Sequence, residues 1–150
     1  MPQLSLLRIA PQRVLNSVVA ALLLLTMPTL APAGAVPPPQ ASVALDDSAT
    51  AAQIAALLPL TVTFHDRMGT AALAQLPTPL PADHAAPMNE YRAGDVAYVT
   101  AEQSIVVFLT DGSAVPDHGL TLLGHLTTGL DELVDCGRDC TLELTLGSRT

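Results

Sequence analysis

The sequence predicts a mostly β domain: a small barrel covered by two short helices, set behind an N-terminal leader. Three observations predict it. Apolar runs with period-two alternation recur between residues 43 and 146, the pattern of strands with one face in a core. Clusters of Gly, Asp, Pro and Ser separate these runs at short intervals. Only two stretches carry helical spacing. A doubly wound sheet needs helices over both faces, so many strands with two short helices favour a barrel.

The chain has 150 residues, and its first 35 read as a leader. Arg8 and Arg13 precede "VLNSVVAALLLLTM", and "PTLAPAGA" follows. A charged start, an apolar middle and a small-residue exit are the parts of a secretory signal peptide. Ala31-Pro32-Ala33 and Ala33-Gly34-Ala35 both fit the cleavage pattern, and cleavage is expected after Ala35. An uncleaved anchor is the competing reading, but Asn16, Ser17, Pro28 and Pro32 interrupt the apolar stretch. The expected destination is the periplasm or the medium of a bacterium, with no stable membrane contact after cleavage.

Residues 36–44 read as a Pro/Ala-rich linker, and residues 45–148 as the domain. Val43-Ala44-Leu45 suits a short strand. Asp46, Asp47 and Ser48 are N-cap candidates for "ATAAQIAALL", whose Ala51, Ile54, Ala55, Leu57 and Leu58 share one face before Pro59 ends the helix. "LTVTFHD" alternates, with Leu60, Val62 and Phe64 on one face and Thr61, Thr63 and His65 on the other; "DRMG" closes it. The four prolines of residues 76–87 exclude a central strand or helix there, so a long loop is expected. Two apolar runs, Val96 to Val99 and Ile105 to Leu109, form a hairpin. They are apolar at nearly every position, so both faces should be covered. "LTLLGHL" is a strand interrupted by Gly124. "TTGLDELVDCG" is a short helix, with Thr127 or Thr128 as cap and Gly137 as stop, and "CTLELTLG" is a last strand.

Composition excludes several functions. The mean hydropathy of +0.42 is raised by the leader. Without it the chain has about 115 residues, the size of one compact domain. The 14 carboxylates remain, while Arg8 and Arg13 leave, so a net charge of −8 becomes about −10. There is no Lys. Such a surface repels phosphate backbones and offers anionic lipid no basic patch. Phe64, Phe108, Tyr91 and Tyr98 are the only aromatics, too few for a stacking platform.

Chemistry-bearing residues are sparse. Cys136 and Cys140, the only cysteines, are four apart in "CGRDC". In an exported chain they are expected to form a bridge pinning a helix-to-strand corner. The functional alternative is a redox pair, although C-x-x-x-C is not the usual oxidoreductase spacing. His65, His84, His118 and His125 form no ligand pair, so no metal is expected. Ser48, Ser104 and Ser113 sit at a cap or in turns, outside any nucleophile elbow. No phosphate loop and no paired carboxylate signature occurs, and no cofactor is expected.

Three stretches, taken in order, resemble a bacterial family of cyclophilin-like domains, small β-barrels often of unknown function. "LDDSATAAQIAALLPLTVTFHDRMG" looks like the family's strand end, Asp-started helix, "LLPLT" stop and next strand. "YRAGDVAYVTAEQSIVVFL" is similar to its Gly-Asp strand start and apolar hairpin. "LTLLGHLTTGLDELV" looks like its strand with a central Gly and Leu-rich helix. The resemblance covers Leu45 to Leu146. The family usually opens with a full hairpin; here that first strand is missing or replaced by "VPPPQASVAL".

The resemblance implies a peptide or small ligand in a groove beside residues 60–66. The candidate groove residues are Phe64, His65, Arg67, Met68 and Phe108. Cyclophilins that isomerise prolyl bonds carry an Arg in a Phe-His-Arg segment beside an aromatic pocket. Here Phe64-His65-Asp66-Arg67 is one residue longer, and there is no Trp. Arg67 is the candidate catalytic residue if the chain is a peptidyl-prolyl isomerase. A non-catalytic binding module is the first expectation, and a structural envelope protein the third.

Overall fold

A computed structural model describes residues 36–81, 88–113 and 119–148. The leader lies outside these residues, as do His84 and His118. The elements in chain order are β1 (Gln40–Leu45), α1 (Ala49–Leu57), β2 (Leu60–Arg67), β3 (Ala71–Gln75), β4 (Glu90–Tyr91), β5 (Asp95–Val99), β6 (Ser104–Phe108), β7 (Gly112–Ser113), β8 (Leu120–Thr128), α2 (Leu130–Asp135) and β9 (Asp139–Leu146). Seven strands close a barrel in the order β1-β8-β5-β6-β3-β2-β9, and β4 pairs with β7 in a separate two-stranded ribbon. Every neighbour in the barrel is antiparallel except β1 and β9, which run parallel. The mostly β barrel with two short helices that the sequence predicts is therefore the fold.

Alternation along the strands builds the core. β2 buries Val62 and Phe64, and β9 buries Cys140, Leu142 and Leu144, while their neighbours face solvent or the outer surface. On the central hairpin both sets are buried. Val96, Tyr98, Ile105 and Val107 belong to the interior cluster. Ala97, Val99, Val106 and Phe108 form a second cluster outside, covered by Met88 and Tyr91. Tyr91 stacks on Phe108 with ring centroids 3.9 Å apart. Each large side chain buried in this way contributes about 1.5–3 kcal/mol. Tyr98, inside the barrel, keeps its hydroxyl satisfied: it accepts from the Leu80 amide at 3.1 Å and reaches the Leu80 carbonyl at 3.4 Å. That contact ties residues 76–81, which have no regular structure, to the barrel end.

The barrel closes where the sequence left a choice. Gln40 to Ala44, expected in the linker, pair with β8 on one side and β9 on the other. Close backbone approach makes this possible. At Gly124, φ is +151°, and a Cβ there would fall on the Ala44 carbonyl and lie 2.9 Å from Leu45 Cα. Gly129, at φ +94°, likewise leaves no room for a side chain against Ala41. Gly129 is also the N-cap of α2. The expected caps, Thr127 and Thr128, instead bond β1: the Thr128 hydroxyl accepts from Ser42 N–H, and the Thr127 hydroxyl donates to Ser42 C=O. α1 starts as expected, with the Ser48 hydroxyl accepting from the Ala51 amide.

Strand β3 is the barrel strand that the periodicity did not reveal. β2 runs on to Arg67, turns through Met68 and Gly69, both at positive φ, and returns as "AALAQ". Both carboxylate oxygens of Asp66 accept the Gly69 amide, at 2.9 and 3.1 Å. A turn-forming Asp thus makes a hairpin where the sequence suggested only a stop.

Candidate functional site

In a strand, residues two apart share a face. His65 and Arg67 therefore point to the outside of β2, and Phe64, 1% exposed, points into the barrel. Across the ladder, His65 is opposite Leu73 and Arg67 is opposite Ala71. Further on, Leu73 is opposite Val106 and Gln75 is opposite Ser104. The outer surface of β2, β3 and the start of β6 thus forms an open groove of about 380 Å³, lined by His65, Arg67, Leu73, Gln75, Glu102 and Ser104. That volume lies within the range of small-ligand sites.

The groove is polar at its rim and apolar at its floor. Leu73 packs against the outer cluster and supplies the floor. Arg67 Nη2 donates to Glu102 Oε2 at 3.2 Å, with side chains 59% and 51% exposed. Solvent screens a pair this exposed, so it is weak and can exchange for a ligand contact. His65 Nδ1 lies 2.7 Å from Asp139 Oδ1, also in solvent. The Ser104 hydroxyl donates to the Glu102 carbonyl at 2.9 Å and fixes the turn that carries Glu102. Its proton is engaged there, so Ser104 is not paired with His65 as a nucleophile with a base. Among the described residues no group of three or more His, Cys, Asp or Glu is placed to hold a metal ion.

The five groove candidates do not all meet. His65 and Arg67 line the groove. Phe64 is inside the barrel, on the other face of the sheet. Met68 is at the tip of the β2–β3 turn, 95% exposed. Phe108 is outward but lies beneath Tyr91. Leu73, Gln75, Glu102 and Ser104 complete the groove and were not foreseen; knowing the strand register of β3 would have found them.

Other openings have different character. One of about 470 Å³ lies at the start of α1, lined by Asp46, Asp47, Ser48 and alanines. A wider one of about 620 Å³ runs along Ser42, His125, Leu126 and Thr127. Neither contains an arginine.

Cys136 and Cys140 are bridged, with Cα atoms 5.6 Å apart. The bridge joins the end of α2 to β9. Its loop bonds to β2 as well: the Arg138 carbonyl accepts the Asp66 amide at 2.8 Å. Among the described residues no helix is long and apolar enough to cross a membrane.

A crystal structure of a conserved protein of unknown function from a locus in Enterococcus faecalis has the same fold, with a TM-score of 0.50 at 14% identity. The alignment covers 73% of this chain, which spans 30% of that protein. No curated protein matches the chain. The sequence model of the cyclophilin-like family matches residues 38–145, nearly all of the barrel. The chain belongs to the cyclophilin-like family.

Proposed function

We propose that this is an exported cyclophilin-like domain that binds an extended peptide or small ligand in the groove of β2, β3 and β6 without catalysing a reaction. The observation that carries the reading is the separation of Arg67 from the aromatic side chains. Prolyl isomerisation must lower a barrier of about 20 kcal/mol, and it needs a cation beside the twisted amide together with an apolar seat for the ring. The extra residue Asp66 puts Arg67 on the opposite face of the sheet from Phe64. Phe108 is occupied by Tyr91, which leaves Leu73 as the apolar surface in the groove. Donors and acceptors remain: Arg67, Gln75 and Glu102 line one open trough, the equipment to hold a polar main chain rather than to transform it.

Export is supported by the leader pattern, residues 1–35, and by the bridged cysteines, which persist in oxidising compartments. The isomerase reading retains one supporting fact, that Arg67 lines the groove.

A protease-coupled proline-flip assay on the domain tests the choice. The rate is expected to stay at the uncatalysed value, tens to hundreds of seconds. Strong acceleration that disappears in Arg67→Ala would overturn the reading and make the chain an isomerase.

A further inference from the structure

The bridge Cys136–Cys140 is chemically asymmetric. Cys140, on β9, is 2% exposed and belongs to the interior cluster, opposite Phe64 in the ladder. Cys136, the C-cap of α2, is exposed to solvent. The loop between them, Gly137-Arg138-Asp139, is exposed along its length. It holds the last rungs of β2: Asp66 N–H to Arg138 C=O at 2.8 Å, and His65 Nδ1 to Asp139 Oδ1 at 2.7 Å. α2 has only six residues, far below the length at which a helix is stable alone. Leu133 anchors it to the core, and Cys136 anchors its far end.

We propose that this bridge is a thiol-reversible clasp on α2 that sets the position of the groove residue His65 through the 136–140 loop. Its consequence for the groove rests on the binding function proposed above; the clasp itself does not. The co-reactant is a dithiol. One thiolate attacks Cys136 Sγ, the S–S bond to Cys140 breaks, and Cys140 leaves as a thiolate that takes up a proton. The second thiolate of the reductant then displaces Cys136, which is protonated, and closes the reductant's own disulfide. Two electrons and two protons pass to the protein. Reduced Cys140 remains a small apolar side chain in the barrel wall, so β9 keeps its packing. Cys136 keeps the helix bond from its amide to Glu132 C=O, at 3.1 Å, and a weak thiol contact to the Asp139 carbonyl, at 3.9 Å, in place of the covalent link. Opening is therefore local: it frees the end of α2 and the loop that carries Asp139.

Amide hydrogen exchange by NMR on the purified chain, with and without dithiothreitol and without denaturant, tests the clasp. The bridge is expected to open under native conditions. The Asp66 and Cys136 amides should then exchange about ten-fold faster or more, while Ile105 and Val107 keep their protection. The His65 ring signals should move on reduction and return on reoxidation. The double variant Cys136→Ser/Cys140→Ser should reproduce the reduced pattern; the reductant arm gives the answer on native protein if that variant folds poorly. A bridge that opens only in denaturant, unchanged exchange at Asp66 and Cys136, or loss of protection throughout β5 and β6 would each overturn the proposal. No ligand enters this measurement, so its failure is distinct from a failure of the groove to bind.

Discussion

Replacing Gly124 with Ala tests how the barrel closes. The new Cβ would collide with the Ala44 carbonyl and stand 2.9 Å from Leu45 Cα. Neither neighbour is a flexible side chain; both are backbone of β1. The strand must therefore move, or β8 must change its φ of +151°. Adopting that conformation with a side chain costs about 1–3 kcal/mol. Displacing β1 also weakens neighbouring bonds such as Asp46 N–H to Leu123 C=O, 2.7 Å long, each worth about 0.5–1.5 kcal/mol net. With two such bonds weakened the sum is about 2–6 kcal/mol, a large part of the 5–15 kcal/mol by which a domain is stable. Gly69→Ala is the control: its φ is +71°, but nothing lies within 4 Å of a Cβ there. That variant should lose about 1–2 kcal/mol, the conformational cost alone. Urea unfolding of both variants beside the parent gives the two differences. If Gly124→Ala loses no more than Gly69→Ala, β1 does not lie against Gly124 and the barrel is not closed on that side.

Hydrogen exchange in the oxidised protein should be slowest in β5 and β6, where both faces are buried; faster exchange there than in residues 76–81 would mean that the core is misplaced. Cys136→Ser should lower stability by about 2 kcal/mol, the entropy of a five-residue loop, and a loss typical of a long-range disulfide in urea unfolding would contradict this. Arg67→Ala should change stability by less than about 1 kcal/mol, because the Glu102 pair is exposed. Intact-mass analysis of the protein recovered from the periplasm or medium should place its first residue near Val36; full-length protein extracted only with detergent would favour an anchor.

The strands with strong alternation were legible because β-branched and large residues mark the buried face: Val62 and Phe64, Leu142 and Leu144. β3 was not. Its inward residues are Ala72 and Ala74, and alanine carries neither β propensity nor a strong hydrophobic signal. β1 was half hidden for a similar reason, since Ala41 and Ser42 follow three prolines. Thr127 and Thr128 looked like caps because a hydroxyl before Leu-Asp-Glu suits one. They serve β1 instead, a partner more than eighty residues away. The groove was legible only along β2. His65 and Arg67 follow from period two, whereas Gln75 and Ser104 join them only through the register of an unforeseen strand. Phe108 was expected at the groove as part of an apolar seat for a proline ring, on the strength of the resemblance; the ring of Tyr91 takes that surface.

The most direct test of the binding account is an NMR titration of the labelled domain with an extended, proline-containing tetrapeptide. Amide signals should move in a saturable way at His65, Arg67, Leu73, Gln75, Glu102 and Ser104, the residues that line the outer trough. Arg67→Ala should weaken the titration, because the guanidinium exchanges Glu102 for the ligand. Separate cis and trans prolyl signals of the bound peptide should persist without exchange broadening. Saturable shifts centred instead on Asp46, Leu122 and His125, which line a separate opening beside Gly124, or coalescence of the cis and trans signals, would contradict the account.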